Sequence, residues 1–422
     1  MTFQEQNQFL TQRRWRVLAA CCITNLCLGA PYAWSVFAGP LAEHLNALHG
    51  TAMTASDLAL AFSFSSSLTF ITMIAGGYLE KKIGARRIIF AGVILFGIGF
   101  LVCGMARSVL AVIFGFGVIG GLANGLGYVC TVSTAVKFFP DKKGLIGGIS
   151  TASYGISSVI IPPIADALNR SVGISRAFTI FGIAIIGIGG LCSLFILNCP
   201  DDYTPTGWNG GSSGAAGTSR DMTALQMLAS PIFYVMLAMM FIGATIGLMM
   251  ISETAAIAQT MLGMSSSAAA LIVSTYALFN TGSRIVVGWI SDKIGRIRTI
   301  TYVLVLMVLS LLAIYLSGLN GNTFLFRAGI CLIGFSYGSF MGIYPAFTSD
   351  QFGVKYSALN YGILFIGFSL AGVVGPLIMQ KIFSEFASYR PSFPIAIVFA
   401  LIGIALTFLY RAANRKLAQK SA

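Results

Sequence analysis

Twelve long apolar stretches, separated by short polar segments, constrain the fold of this chain more than any other feature of its sequence. Several of them approach ~20 residues without a charge, which is enough to cross the hydrocarbon layer as an α-helix. They lack the strict apolar–polar alternation of a transmembrane β-strand. Because backbone groups in lipid must bond within their own segment, these stretches predict membrane-spanning helices.

Composition supports the same class of protein. Of the 422 residues, 56% are hydrophobic and 9% are charged, whereas a soluble domain carries about 25% charged residues. We therefore predict an all-α polytopic protein whose main surroundings are the lipid bilayer. The net charge of +13 indicates topology in such a protein, and no nucleic-acid partner is predicted.

Hydropathy divides the chain into two sets of six spans. The predicted spans are 17–41, 57–79, 88–105, 109–136, 144–168, 176–198, 231–257, 266–290, 299–318, 323–347, 357–380 and 392–411. The first is too long for a signal peptide and is predicted to be retained. The predicted domains are an N-terminal tail (1–16), a first bundle (17–198), a glycine-containing linker (199–230), a second bundle (231–411) and a C-terminal tail (412–422).

Basic residues predict the orientation. With the N-terminus inside, 19 of the 26 lysines and arginines lie in inner segments, six lie outside and one, Arg284, lies within a span. The positive-inside rule therefore predicts that both termini and the linker are cytoplasmic, in the cell (inner) membrane.

An internal repeat relates the two halves. Residues 77–87 (GYLEKKIGARR) match residues 288–298 (GWISDKIGRIR) at an offset of 211 (288 − 77), and Pro163 matches Pro376 at 213. Two homologous, pseudo-symmetric six-helix bundles explain this spacing.

The repeated loop resembles the signature of the major facilitator superfamily. Its second copy is close to consensus, whereas the first has Lys81 at the usual position of an aspartate and Glu80 before it. The resemblance implies the major facilitator fold, secondary transport by alternating access, a substrate site in a central cavity between the bundles and function as a monomer.

Shorter motifs resemble the branch that contains monocarboxylate porters and oxalate–formate antiporters. They are 30–35 (APYAWS), 138–145 (FFPDKKGL), 280–284 (NTGSR), 349–353 (SDQFG) and 360–362 (NYG). This resemblance implies a carboxylate as substrate.

One charge lies deep in an apolar span. Arg284 precedes the polar turn at Asp292 by eight residues, or about 12 Å of helix. An arginine at that depth costs roughly 2.5 to 3.5 kcal/mol on insertion scales, and its planar fork matches a carboxylate. We predict that Arg284 binds the substrate carboxylate; the alternative is a structural ion pair, although no acid lies three or four residues away.

Asn280 lies one turn before Arg284, on the same helix face. It is predicted to donate to the substrate or to hold the guanidinium in place. An interhelical hydrogen bond is the alternative interpretation.

Aromatic and apolar residues are expected to line the rest of the site. The branch resemblance places Tyr32, Tyr128, Tyr154, Tyr337, Phe365 and Met341 there; packing alone is the alternative for each tyrosine.

The oxalate branch also carries a lysine in span eleven, at the position of Phe368. A single cation suits a single carboxylate, so we predict a monocarboxylate such as lactate, pyruvate or acetate.

Proton coupling would make the transport of an ionised acid electroneutral. The acids nearest the membrane interior are Glu253, Asp57 and Asp166. Glu253 is the predicted proton site; the alternatives are that it is an outer-end surface acid and that the substrate carries its own proton. His44 and His49 lie in the first outer loop and are too peripheral for this role.

Competing functions make different predictions. The first hypothesis is proton symport of L-lactate or pyruvate, and the alternative is an anion exchanger of the oxalate–formate type. A third class, a sensor or membrane enzyme, has no support from a nucleotide loop, a nucleophile–base pair or a sizeable soluble domain. The eight cysteines show no metal spacing. We therefore predict no catalytic residue, no metal and no cofactor other than the coupled proton.

Overall fold

A computed structural model describes residues 2–208 and 221–421, and within these ranges all regular structure is helical. Twelve helical segments are long and apolar enough to cross a membrane. They are α1 (Gln4–His49), α2 (Ala55–Ile83), α3 (Ala85–Gly104), α4 (Val109–Lys137), α5 (Lys143–Val172), α6 (Ile174–Phe195), α7 (Pro231–Leu262), α8 (Ser266–Ile294), α9 (Arg296–Asn320), α10 (Thr323–Phe352), α11 (Ser357–Phe386) and α12 (Ser392–Arg415). The prediction of twelve spans is confirmed. The first helix begins at Phe3, so the polar residues before Val17 are helical as well.

Three of the described spans are broken near their middle, and in α4 the π-helical segment Ile113–Gly120 follows a single α-helical turn. In α1 a 3-10 turn covers Ala30–Ala33, where Pro31 occupies the first turn. The α5 segment consists of helices Lys143–Gly155 and Ser157–Val172, and α11 consists of Ser357–Leu364 and Ile366–Phe386. In α5 and α11 the second helix begins after Ile156 and after Phe365, near the middle of the span.

The repeated loop has the same backbone geometry in both halves. Gly84 ends α2 with φ 90° and ψ 146°, and Gly295 ends α8 with φ 90° and ψ 146°. Residues with a Cβ rarely adopt this conformation, so both copies require glycine. The helix pairings repeat too: α2 packs on α4 and α3 on α6, as α8 packs on α10 and α9 on α12.

The chain forms two compact units. The first comprises the described residues of Met1–Asp141, Ser153–Asn209 and Tyr356–Ile363, and the second those of Lys142–Ala152, Gly210–Lys355 and Leu364–Ala422. The inner parts of α5 and α11 are thus grouped differently from the predicted domain boundaries at 198 and 231. The predicted linker includes residues 209–220, which lie outside the described residues.

Candidate functional site

Arg284 lies in the middle of α8 and is buried, with 6% of its surface exposed. Its helix owes this position to close contact with glycines of α10. A Cβ on each of these glycines would come within 3 Å of a backbone oxygen of α8. The pairs are Gly334 with Tyr276, Gly338 with Asn280, and Gly342 with Arg284. Small residues at four-residue spacing therefore bring α10 against the turns that carry the predicted site.

The inner helix of α5 approaches Arg284 from another side. A Cβ on Gly148 would lie 2.1 Å from the Arg284 carbonyl oxygen, and one on Gly144 would lie 2.3 Å from that of Gly288. The backbone of Arg284 is thus in contact with a glycine of α5 and a glycine of α10 within the second unit. This packing excludes the rotation of α8 that would bring the charge to lipid.

The guanidinium makes two hydrogen bonds to neutral acceptors. Nη1 donates to the Thr151 carbonyl oxygen at 2.7 Å, and Nη2 donates to Asn280 Oδ1 at 2.9 Å. Asn280 Oδ1 thus accepts a hydrogen bond from the guanidinium, while its predicted donation to the substrate stays a prediction. Arg284 Nε and Asn280 Nδ2 are buried and have no hydrogen-bond partner among the described residues.

The positive charge of Arg284 is not balanced by an acidic side chain among the described residues. Among the described residues, no ion pair includes Arg284, so the predicted alternative of a structural ion pair has no support there. A buried cation with an unused N–H donor, beside a second unused donor, has the charge and the donors to hold a small anion.

Aromatic residues of the second unit surround the same level of α10. The Tyr337 ring stacks with Phe368 at 6.4 Å, and Phe365 lies 4.6 Å from Phe368. Met341, between Gly338 and Gly342 in sequence, is 3% exposed. Phe368, at the position where the resemblance to the oxalate branch predicts a lysine, belongs to this cluster and adds no charge.

The three remaining tyrosines form a cluster in the first unit. The Tyr154 ring lies 5.5 Å from Tyr32 and 4.8 Å from Tyr128. Asn124 Nδ2 donates to the Tyr154 hydroxyl at 3.2 Å. Tyr32 is 47% exposed, whereas Tyr128 is 6% exposed. The structure thus brings the residues of this predicted set together, and their contact with substrate stays a prediction.

Glu253 bonds a tyrosine near the opposite end of α7 from the linker. The Tyr389 hydroxyl donates to Glu253 Oε2 at 2.9 Å. Burial, together with this hydrogen bond, raises the pKa of Tyr389 to about 12, so the phenol stays a donor at physiological pH. The other candidate acids have local partners: Asp57 caps its helix at Thr54, and Asp166 pairs with Arg170.

An ion-pair network in the second unit joins the start of α9 to α8, α10 and α5. Arg296 bonds Asp292 at 2.7 Å and Asp350 at 2.9 Å, and Asp350 also pairs with Lys143 at 2.9 Å. Asp292 accepts the backbone N–H groups of Gly144 and Leu145, each at 2.8 Å. The acid of the second loop copy therefore caps the first turn of α5, where the helix dipole favours a negative charge.

The first loop copy makes different contacts. Glu80 pairs with Lys137 of α4 at 2.7 Å, and Lys81 pairs with Asp201 at 2.5 Å. The replacement of the usual aspartate by Lys81 thus redirects the acid of this loop toward a basic side chain.

Sequence reasoning missed Thr151, Gly148 and the glycines of α10. The glycines had a readable signal, because Gly334, Gly338 and Gly342 recur every four residues. Thr151 had none, because its contribution is a backbone carbonyl that any residue possesses. Among the described residues, no group of three or more histidines, cysteines or acids is arranged to hold a metal ion.

Comparison with known proteins agrees with this architecture. The chain is similar to an uncharacterized transporter, YhjX, of Escherichia coli (32% identity; 85% of this chain and 86% of that one). It is also similar to the oxalate:formate antiporter of Oxalobacter formigenes (28%; 95% and 92%) and to human monocarboxylate transporter 11 (24%; 94% and 82%).

Solved structures show the same fold. The human organic anion transporter MFSD10 matches with a TM-score of 0.71 at 13% identity, over 93% of this chain and 99% of that one. These relatives and neighbours are transporters and not enzymes. The profile of the Major Facilitator Superfamily matches residues 20–376 and 256–422. With twelve candidate membrane-spanning helices, this chain is a multi-pass membrane protein that belongs to the Major Facilitator Superfamily, in the branch related to monocarboxylate transporters and the oxalate:formate antiporter.

Proposed function

We propose that this protein is a secondary transporter of small monocarboxylates, L-lactate or pyruvate, that moves its substrate together with a proton by alternating access. The substrate carboxylate binds Arg284. The protein acts as a monomer in the cell (inner) membrane, with both termini in the cytoplasm.

The observation that carries this proposal is the unbalanced charge of Arg284. Its guanidinium is 6% exposed and bonds a carbonyl and an amide oxygen, both neutral. A desolvated charge costs several kcal/mol unless a counter-charge offsets it. The unused donors at Arg284 Nε and Asn280 Nδ2 allow a carboxylate to supply that counter-charge and to gain charge-assisted hydrogen bonds.

A single charge on the substrate follows from the residues around the site. Phe368 stacks on Tyr337 and packs against Phe365 with a tilted ring, where the resemblance to the oxalate branch predicts a lysine. A dicarboxylate would place its second charge against an apolar wall, whereas the methyl group of lactate or pyruvate packs there at no electrostatic cost.

Anion exchange is the second candidate function. It is favoured by the 28% identity with the oxalate:formate antiporter, which extends over 95% of this chain. An exchanger needs no coupled proton. It would change between its outward-facing and inward-facing states only with a substrate bound.

Transport into proteoliposomes separates the two candidates. Labelled L-lactate is supplied outside, with and without an inward proton gradient and with and without unlabelled lactate inside. Symport predicts uptake that the gradient stimulates. Uptake that requires internal lactate and is the same with and without the proton gradient would instead establish exchange.

The role of Arg284 is tested by Arg284→Lys and Arg284→Gln. Losing the planar fork removes at least one charge-assisted hydrogen bond, worth about 1.5 to 3 kcal/mol, so lactate affinity should fall by roughly 10- to 150-fold or more in both variants. Isothermal titration calorimetry and uptake measure the loss. Thr281→Val, a buried change on the same helix, is the control. Lactate binding that survives in Arg284→Gln would contradict the site assignment.

A further inference from the structure

A groove lies between α3 and α6 of the first unit, next to the first copy of the repeated loop. Its cavity has a volume of about 310 Å³ and is lined by Arg86, Arg87, Phe90, Ser193 and Leu194. The first three belong to the first two turns of α3, and the last two belong to the final turn of α6. The groove therefore lies where apolar spans meet a polar loop.

The two arginines of the groove are exposed, and none of the ion pairs among the residues that the structure describes includes either of them. The lysines of the same loop have local partners. Lys81 pairs with Asp201 at 2.5 Å, and Lys82 lies over the Tyr78 ring at 4.5 Å. Two positive charges without a counter-charge thus meet in one groove, which an anionic ligand would complement.

The walls of the groove and the surface beside it are apolar. Phe90 and Leu194 are exposed, and so are Leu191 and Phe195 on α6. The Ser193 hydroxyl donates to a carbonyl of its own helix at 2.6 Å, so it adds little polarity. In a membrane-spanning protein such exposed side chains contact acyl chains, so an occupant of this groove meets cations and hydrocarbon together.

The corresponding place in the second unit is bonded internally. At the offset of 211, Thr301 of α9 matches Phe90 (301 − 90). Thr301 Oγ1 accepts a hydrogen bond from Arg411 Nη2 of α12 at 2.9 Å and lies 3.1 Å from Thr407 Oγ1. The cation of that unit is therefore satisfied between its own helices. The first unit has an open groove and two cations at the same place of the repeat.

We propose that the groove between α3 and α6 binds an anionic phospholipid. Its phosphate accepts hydrogen bonds from Arg86 and Arg87, whose planar forks match phosphate oxygens. One of its acyl chains packs against Phe90 and Leu194. A zwitterionic headgroup fits less well, because it brings a cation that the two arginines repel. Inorganic phosphate would use the arginines and leave the apolar walls uncovered, so the lipid is the occupant that fits both features.

Native mass spectrometry of the full-length protein in detergent tests this site, with phosphatidylglycerol as the probe. Arg86→Gln/Arg87→Gln should bind the lipid about 30-fold more weakly, which is about five-fold for each cation lost near an anionic headgroup. The matched control is Lys293→Gln/Arg298→Gln, which removes two exposed cations from the second copy of the loop. Arg298 is the counterpart of Arg87 at the offset of 211, and this control should leave the affinity unchanged.

Leu194→Trp tests the apolar part of the groove and keeps both arginines. The larger ring fills the space that the acyl chain needs, so phosphatidylglycerol should again bind more weakly than to the wild-type protein. Thermal unfolding of each variant checks that it is folded. Phosphatidylcholine should bind the wild-type protein more weakly than phosphatidylglycerol, and inorganic phosphate at the concentration of the lipid should not displace it.

Three results would overturn the proposal. Wild-type affinity for phosphatidylglycerol in both groove variants would show that the lipid does not bind there. An equal loss in the control variant would mean that any exposed cation near the membrane attracts anionic lipid. Displacement of the lipid by inorganic phosphate would assign the two arginines to a soluble anion.

Discussion

At the scale of single residues, Arg284 is the side chain to which we assign the substrate carboxylate. The sequence shows that Arg284 lies in an apolar span, where a charge is costly. In the structure its backbone carbonyl packs against Gly148 and Gly342, and these contacts hold the residue in place. Arg284 Nε and Asn280 Nδ2 have no hydrogen-bond partner among the described residues. An anion could accept hydrogen bonds from both. We expect the aromatic cluster around Phe368 to set the charge that the substrate carries.

Phe368 is the residue that we expect to select for one charge. Phe368→Lys would place a second cation beside Tyr337, so oxalate affinity should rise by roughly ten-fold or more, and lactate affinity should fall. Competition with labelled lactate in proteoliposomes measures both. Phe368→Met preserves the apolar character and should retain the preference for lactate. Oxalate binding that is no better in the lysine variant would contradict a role for this position in selectivity.

Glycine contacts decide the packing at the scale of helices. The spacing of Gly334, Gly338 and Gly342 lets α10 approach α8 over three turns, and Gly144 and Gly148 do the same for α5. These contacts hold the turn of Arg284 between two backbones and limit its freedom without any ion pair.

A methyl group at Gly342 should disturb this packing. Its Cβ would lie 2.4 Å from the Arg284 carbonyl oxygen, and overpacking of this kind costs about 1 to 3 kcal/mol. We therefore expect Gly342→Ala to lower the unfolding temperature in detergent. Gly282→Ala, on α8 itself with open space at its Cβ, should be neutral or slightly stabilising. Equal unfolding temperatures for the two variants would show that the contact is looser than described.

The pair of Glu80 and Lys137 joins α2 to α4 in the first unit. Both side chains are largely buried, with 9% and 11% of their surface exposed. Glu80→Gln leaves Lys137 without its counter-charge and should destabilise the protein by roughly 3 to 5 kcal/mol. Adding Lys137→Met removes the unpaired charge and should restore most of the stability. Thermal unfolding of the single and double variants checks this, and a double variant no more stable than Glu80→Gln would refute it.

The two units share one repeat at the scale of the whole molecule but differ in their charges. The inner ends of α2 and α8 have the same glycine geometry at Gly84 and Gly295. The counterpart of Arg284 at an offset of 211 is Met73, which is fully buried. The buried cation that we assign to substrate therefore belongs to the second unit.

At the scale of the whole transport cycle, we expect Glu253 to be the side chain that carries the proposed coupled proton. Tyr389 keeps its proton at physiological pH because burial and the bond to Glu253 raise its pKa, so Glu253 is the acceptor of their hydrogen bond. Glu253→Gln should abolish stimulation of uptake by an inward proton gradient and preserve lactate counterflow. Tyr389→Phe is the matched variant, which keeps the carboxylate and should retain stimulation. Stimulation that persists in Glu253→Gln would exclude this residue as the proton site.

The sequence by itself determined the twelve spans, the repeat and the position of the buried arginine. These depend on hydropathy and on the cost of a charge in lipid, which are properties of a residue and its neighbours along the chain. Only the tertiary structure decided that Arg284 bonds the Thr151 carbonyl, 133 residues away, and that Glu80 pairs with Lys137. Backbone carbonyls carry no signature in a sequence, and the partner of a charge depends on which helices pack together.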